Sequence, residues 1–109
     1  MSAQLQQFSF EKDGLLTDVR VHVDEKGDPW FVAKDVCSVL GYKNTSLTIS
    51  KHCEEKGISK RYTLSSGGEQ ELLFINEGNL YRLIIKSHLP AAKQFETFVC
   101  DTVLPSIRK

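Results

Sequence analysis

The chain has 109 residues, 40% of them hydrophobic, with fourteen basic and fourteen acidic side chains and a formal net charge of zero. This length and hydrophobic content predict one domain, residues 1–109, around one core, and exclude a disordered chain. No apolar run approaches the roughly 18 residues that a membrane-spanning helix needs, and the N-terminus lacks the basic start and apolar stretch of a secretory signal. We therefore expect a soluble, cytoplasmic protein with no membrane partner.

The first part of the chain predicts strands. Phe8 and Phe10 alternate with polar neighbours, as in a short strand, before a turn at residues 11–14. Residues 18–24 alternate strictly and place three valines on one face. A turn then leads to a returning strand at residues 29–32, whose first residue is a proline.

Two short helices follow. A helix is predicted over residues 33–40, and Gly41 ends it because glycine readily adopts the left-handed conformation past a helix end. Asn44 or Thr45 then caps a second short helix that ends near Cys53. A short helix, a glycine-containing turn and a second helix have the proportions of a helix-turn-helix.

The second half predicts a hairpin and two more helices. Residues 60–64 and 70–75 read as strands joined by a glycine-bearing loop. Asn76 caps the next helix, Pro90 opens the last one, and Pro105 is expected to end it. The fold class is therefore α+β: a small antiparallel sheet with about four helices, including the helix-turn-helix-like unit.

The zero net charge hides a segregation of charge along the chain. Residues 1–33 and 62–81 each carry a net charge of −3, whereas residues 34–61 and 82–95 each carry +3. The two basic stretches form one positive face if the fold brings them together, and a positive face is typical of nucleic-acid binding. The alternative is that these charges scatter around a solvated surface.

The second predicted helix is rich in hydroxyl and amide side chains, which are poor choices for a helix interior. Contact with DNA is one reason to place them there, because these groups donate and accept hydrogen bonds to phosphates and base edges. The alternative is a weak surface helix or loop that Leu47 and Ile49 hold in place. On the first interpretation, the residues expected near a groove are Lys43, Asn44, Thr45, Ser46, Thr48 and Lys51.

Further basic residues are candidates for phosphate contacts, which add affinity and salt sensitivity without sequence information. Arg82 and Lys86 are four residues apart on one predicted helix, opposite its apolar stripe. The alternative for each such residue is ordinary solvated charge. The full set of expected phosphate contacts is Lys34, Lys60, Arg61, Arg82, Lys86 and Lys93.

No feature of the sequence indicates catalysis. The chain has no P-loop, H-E-x-x-H, G-x-S-x-G or dinucleotide fingerprint. Its three cysteines, Cys37, Cys53 and Cys100, are widely spaced and form no C-x-x-C pair, so we expect reduced thiols rather than disulfides or a zinc site. We predict that the protein is not an enzyme and uses no cofactor or metal.

Two longer motifs give the chain a family resemblance. Residues 30–36 with the Leu-Gly-Tyr turn at 40–42 form the first, and residues 76–83, Asn-Glu-Gly-Asn-Leu-Tyr-Arg-Leu, form the second. In this order they resemble the N-terminal domain of the BRO family (Bro-N), which also stands at the front of phage antirepressors. The resemblance extends over residues 18–109. It implies a small α+β domain that binds DNA, usually joined to a variable C-terminal domain.

The chain departs from the family pattern in two places. In the family, a short first hairpin commonly leads straight to the strand that carries the tryptophan, whereas the segment at residues 11–17 makes this part of the chain look longer. No partner domain follows Lys109, so we expect an isolated module or a trimmed part of a longer protein.

Two functional hypotheses follow. In the first, the domain binds double-stranded DNA as part of a phage or prophage antirepressor-type transcription regulator. In the second, it is a protein-interaction module that binds a phage repressor and relieves repression. A palindromic DNA site would require a homodimer, which the sequence permits but does not demand.

Overall fold

A computed structural model of the chain describes residues 5–12, 14–65 and 68–107. Within these residues the fold is α+β, as predicted. The strands are β1 (Gln6–Lys12), β2 (Leu15–Val23), β3 (Pro29–Val32), β4 (Ile58–Ser65) and β5 (Gly68–Asn76). The helices are α1 (Ala33–Leu40), α2 (Thr45–His52), α3 (Glu77–Lys86), α4 (Ala91–Phe98) and the short α5 (Leu104–Ile107). A 3-10 turn (Glu55–Gly57) precedes β4, and a π turn (Val99–Val103) joins α4 to α5.

The five strands form one antiparallel sheet in the order β1-β2-β3-β5-β4. Two hairpins, β1–β2 and β4–β5, flank the short central strand β3. The insertion of β3 between β2 and β5 places the start of α1 at the middle of the sheet, because α1 follows β3 without a break. The pair α1–α2, predicted as a helix-turn-helix-like unit, is thereby anchored on the central strand.

The main core lies between the helices and one face of the sheet. Strand residues such as Val21, Phe31 and Ile75 face helix residues such as Leu80 and Phe95 there, all fully buried. The opposite face carries a smaller cluster of Val32, Leu72 and Phe74, with Leu5 and Trp30 half-buried beside it. Alternation along β3 and β5 sends neighbouring side chains to these two clusters.

The predicted order of elements matches the structure, and the predicted bounds of the first helix, residues 33–40, are the observed ones. The first hairpin is longer than predicted: β1 continues to Lys12, and β2 begins at Leu15 rather than Asp18. Leu15 and Leu16 do not follow the alternation that identified β2, so the pattern missed the first three residues. Asp13 of the predicted turn, and Ser66 and Gly67 of the second loop, lie outside the described residues.

One predicted helix end is wrong. Pro105 does not end the last helix, which continues to Ile107. Proline lacks the N–H that a helix would use, but the π turn just before it changes the hydrogen-bond register, with the N–H of Leu104 bonding to the carbonyl of Val99. A proline after such a register change is tolerated without breaking the helix.

Among the described helices, none has both the length and the apolar character required to cross a bilayer.

Candidate nucleic-acid interface

Burial and one ion pair hold α1. Six of its eight residues are buried, and one of them is charged, Asp35. The Asp35 carboxylate accepts two hydrogen bonds from the Arg20 guanidinium, at 2.8 and 2.9 Å, and a third from the Arg20 backbone N–H at 3.0 Å. That N–H lies just past the last pair of the β2–β3 ladder, Val21 with Phe31. The hydrogen bond to Asp35 raises the pKa of Arg20. Asp35 therefore fixes the start of α1 to the sheet.

The turn after α1 is packed against the end of α3. Gly41 has φ of +83°, and a Cβ at that position would lie 2.4 Å from the side chain of Leu89. Ser87 donates its hydroxyl hydrogen to the carbonyl of Leu40 at 3.0 Å, and Tyr42 donates to the carbonyl of Leu83 at 2.8 Å. The Leu-Gly-Tyr motif therefore has a structural role, because it fixes the turn between the two helices.

The second helix is held at its first turn by a cap and near its middle by two adjacent buried residues. Asn44 is the N-cap, and its Oδ1 accepts the backbone N–H of Leu47 at 3.0 Å. Only Thr48 and Ile49 are buried in α2. Leu47, which the alternative of a weak surface helix used with Ile49 as an anchor, is 51% exposed, whereas Ile49 is buried.

The chain leaving α2 is held by the second motif. Asn79 is buried in α3, and its side-chain amide both accepts the backbone N–H of Glu54 at 2.9 Å and donates to the Glu54 carbonyl at 3.0 Å. Asn76 caps α3 by accepting the N–H of Asn79. We call the two hydrogen bonds between the Asn79 side chain and the Glu54 backbone the Asn79 clamp. A Cβ at Gly57 would lie 2.5 Å from the side chains of both asparagines, so only glycine fits at this position beside the clamp. Sequence reasoning missed this clamp, although its two asparagines stand three residues apart in the recognised motif.

These anchors leave one side of α2 open to solvent. The exposed residues of the helix are Ser46, Leu47, Ser50 and Lys51, and Lys43 is exposed just before it. Their spacing, at positions i, i+1, i+4 and i+5, places the four helical residues on one face. We call Lys43, Ser46, Leu47, Ser50 and Lys51 the outer face of α2. It presents two ammonium groups, two hydroxyl groups and one leucine.

The predicted groove residues divide between the two sides of α2. Lys43, Ser46 and Lys51 are on the outer face, as the hypothesis requires. Thr48 is only 8% exposed, so its side chain lies on the inner side, away from the surface we expected. Asn44 is exposed, but its Oδ1 is engaged by the helix cap. Thr45 is half-buried.

The predicted phosphate contacts are more dispersed. Lys34 is exposed on α1, Lys86 on α3 and Lys93 on α4. Lys60 and Arg61 are neighbours on β4, where alternation points their side chains to opposite faces of the sheet. Their side chains therefore lie on different surfaces of the domain.

One ion pair brings the two basic stretches of the sequence together. Arg82 of α3 donates to the Glu54 carboxylate at 2.6 Å, and Glu54 is three residues after Lys51. The end of α2 and the basic side of α3 are therefore neighbours. The same carboxylate lies 3.4 Å from Lys56 and places a negative charge at the junction. Arg82 thus already has an anionic partner within the protein, in competition with any phosphate.

Two of the three cysteines lie close to this unit and have suppressed acidity. Burial raises the pKa of the Cys37 thiol to about 11, and burial also raises the pKa of Cys53. Both thiols are therefore protonated near neutral pH, where only the thiolate is a strong nucleophile or metal ligand. In the parts of the chain that the structure describes, no three His, Cys, Asp or Glu side chains are grouped so as to hold a metal ion.

Residues 18–105 match the sequence model of the BRO family, N-terminal domain. An uncharacterized protein of Haemophilus influenzae is 49% identical over 109 residues, a match that covers all of this chain and 53% of the relative. Two Bro-N domain-containing proteins, one of Invertebrate iridescent virus 6 and one of Invertebrate iridescent virus 3, are 35% and 34% identical over 99 and 104 residues.

The viral matches cover 74% and 75% of this chain but only 24% and 26% of the relatives. The chain thus spans about half the length of the bacterial relative and about a quarter of the viral ones. No solved structure gives a significant match.

Proposed function

The chain belongs to the BRO family, whose N-terminal domain it matches. On that premise we propose that it binds double-stranded DNA through the outer face of α2. The observation that carries the proposal is that α2 is fixed at both ends while this face stays open. The domain then serves as the DNA-binding part of a transcription regulator of the phage or prophage antirepressor type, acting in the cytoplasm.

The arrangement of α1 and α2 supports this proposal. In a helix-turn-helix the second helix enters the major groove and its first residues approach the base edges, while the first helix crosses the backbone. Here α1 carries the exposed Lys34, and α2 presents Ser46 and Ser50 between Lys43 and Lys51. Serine hydroxyls hydrogen-bond to base edges or phosphates, and the lysines neutralise phosphates on either side.

Neighbouring helices extend the basic surface. Lys86 is one helical turn beyond Arg82, whose guanidinium is beside Glu54 at the end of α2. The proposed phosphate contacts are therefore Lys34, Lys43, Lys51 and Lys86. Arg82 adds a further phosphate contact when its guanidinium leaves Glu54 and binds a phosphate instead.

Titration of duplex binding against salt tests the proposal. The slope of log affinity against log salt is negative, and each phosphate contact that is removed makes it less steep by about 1. For the Lys43→Ala/Lys51→Ala variant we therefore expect a slope that is less steep than the parent's by about 2. Lys26→Ala, in the exposed turn between β2 and β3, is the control for a surface charge outside the unit. It is expected to bind like the parent protein.

Absence of duplex binding even at low salt would contradict the proposal. In that case, capture of a purified phage repressor would favour the protein-interaction alternative. Equal effects of the Lys26 and Lys43/Lys51 substitutions would also count against a contact through α2, because they would reduce the interaction to overall charge.

A further inference from the structure

Leu47 is an apolar side chain at a position where the fold does not require one. It lies in the first turn of α2, where its backbone N–H is bound by the Asn44 cap, and its side chain is 51% exposed. Leu, Lys, Gln and Glu have similar helix propensity, so a polar residue would serve the helix equally well. The exposed apolar surface of Leu47 therefore does not contribute to folding as a core side chain would.

Exposure alone does not identify a site, because single apolar residues are common on protein surfaces. Leu15, Leu16 and Ile85 are even more exposed, on the first hairpin and on α3. Leu47 differs from them in its surroundings. On the outer face of α2 it has Ser46 beside it, Ser50 three residues on and Lys51 four residues on, all exposed.

An apolar side chain among hydrogen-bonding ones matches a particular feature of the major groove. Thymine presents a 5-methyl group there, beside the O4 acceptor, and apolar side chains contact this methyl. No other standard base presents an apolar group in that groove. The position of Leu47 in the first turn of α2 is where a recognition helix comes closest to the bases.

We propose that Leu47 is a specificity-determining residue that contacts a thymine methyl group, so that the domain prefers sites with thymine at one fixed position. This inference rests on the proposed function, since it requires α2 to lie in the major groove. It adds a base preference that overall charge cannot supply, because phosphate contacts carry no direct sequence information.

Replacing thymine by deoxyuridine tests the contact, because deoxyuridine lacks only the 5-methyl group. A preferred duplex is first selected from a randomised library with the parent protein. Each thymine in that duplex is then changed singly to deoxyuridine, and binding is measured at constant salt. We expect about a fourfold loss of affinity at one thymine, the equivalent of burying one methyl group.

The Leu47→Ala variant should bind the two forms of that duplex equally. Leu16→Ala removes the same atoms from a side chain that is 70% exposed on the first hairpin, and it should keep the full dependence on the methyl group. Since both leucines are largely exposed, both variants are expected to fold. Thermal unfolding verifies this.

The outcomes separate this inference from the proposed function. Failure of the library to yield any bound duplex at low salt contradicts both. Duplex binding without dependence on any thymine methyl group overturns the role of Leu47 and leaves DNA binding intact. Methyl dependence that survives in Leu47→Ala assigns the contact to another residue and also overturns the inference.

Discussion

The two helices of the helix-turn-helix-like unit are of equal length, yet they are held in different ways. Six of the eight residues of α1 are buried, and its one buried carboxylate is bound by Arg20. In α2 only two of eight residues are buried. It is positioned instead by a cap at one end and by the Asn79 clamp on the chain that leaves the other end.

The difference shows how a helix can be fixed in place while one whole face of it stays open to solvent. If α2 were held by burial of its side chains, those side chains would not be available to a binding surface. Hydrogen bonds at the ends leave those side chains available, at the cost of dependence on a few polar residues. Each anchor can be removed singly, and we expect the consequences for α1 and α2 to differ in size and in kind.

The largest effect is expected in α1. Asp35→Ala leaves the Arg20 guanidinium, which is 30% exposed, and the Arg20 backbone N–H without their partner. We expect the free energy of unfolding to fall by about 3 kcal/mol. This is the lower end of the range for breaking a buried ion pair, because the Arg20 side chain is partly exposed to solvent. Denaturant unfolding measures this. Lys34→Ala, on the exposed side of the same helix, should change stability by less than about 0.5 kcal/mol. A similar loss in both variants would mean that the ion pair is not the anchor.

An intermediate effect is expected at the clamp. Asn79→Ala removes two hydrogen bonds to the backbone of Glu54, and the free energy of unfolding should fall by about 2 kcal/mol. Because the clamp fixes the end of α2, duplex affinity should fall as well, measured well below the melting temperature. Gln94→Ala removes an exposed amide from α4 and serves as the control. Lost stability with unchanged affinity would show that α2 keeps its position without the clamp.

The smallest effect is expected at the cap. Asn44→Ala should lower the free energy of unfolding by about 1 kcal/mol, since it leaves the N–H of Leu47 without its side-chain acceptor. Asn44→Ser retains a capping oxygen and should recover most of the loss. Thermal unfolding of the three proteins gives the comparison. If serine failed to recover stability, the role of Asn44 would not be that of a cap.

The sequence predicted the elements well where local signals decide them. The helix over residues 33–40 follows from its apolar spacing and from Gly41, which indeed has a positive φ. The Asn44 and Asn76 caps were likewise predictable from residue type and position. Pro105 was misleading because the π turn before it changes the hydrogen-bond register, and we saw no signal for that turn in the sequence.

The candidate site was predicted only in part, because its geometry depends on contacts between distant residues. Residue types picked out α2, but they could not separate the buried Thr48 from the exposed Ser46 on so short and weakly amphipathic a helix. The pairing of Arg82 with Glu54 and the Asn79 clamp join residues 25 or more positions apart. Asn79 stood out in the sequence only as part of the family motif, and the structure gives it a physical role.

The most direct test of the account is an NMR titration of the ¹⁵N-labelled protein with its selected duplex. The account predicts that the largest chemical-shift changes fall on Ser46, Leu47, Ser50 and Lys51, with small changes on the first hairpin around Leu15 and Leu16. Large changes on the hairpin or on α4, with α2 unaffected, would contradict the claim that the outer face of α2 is the surface that meets DNA.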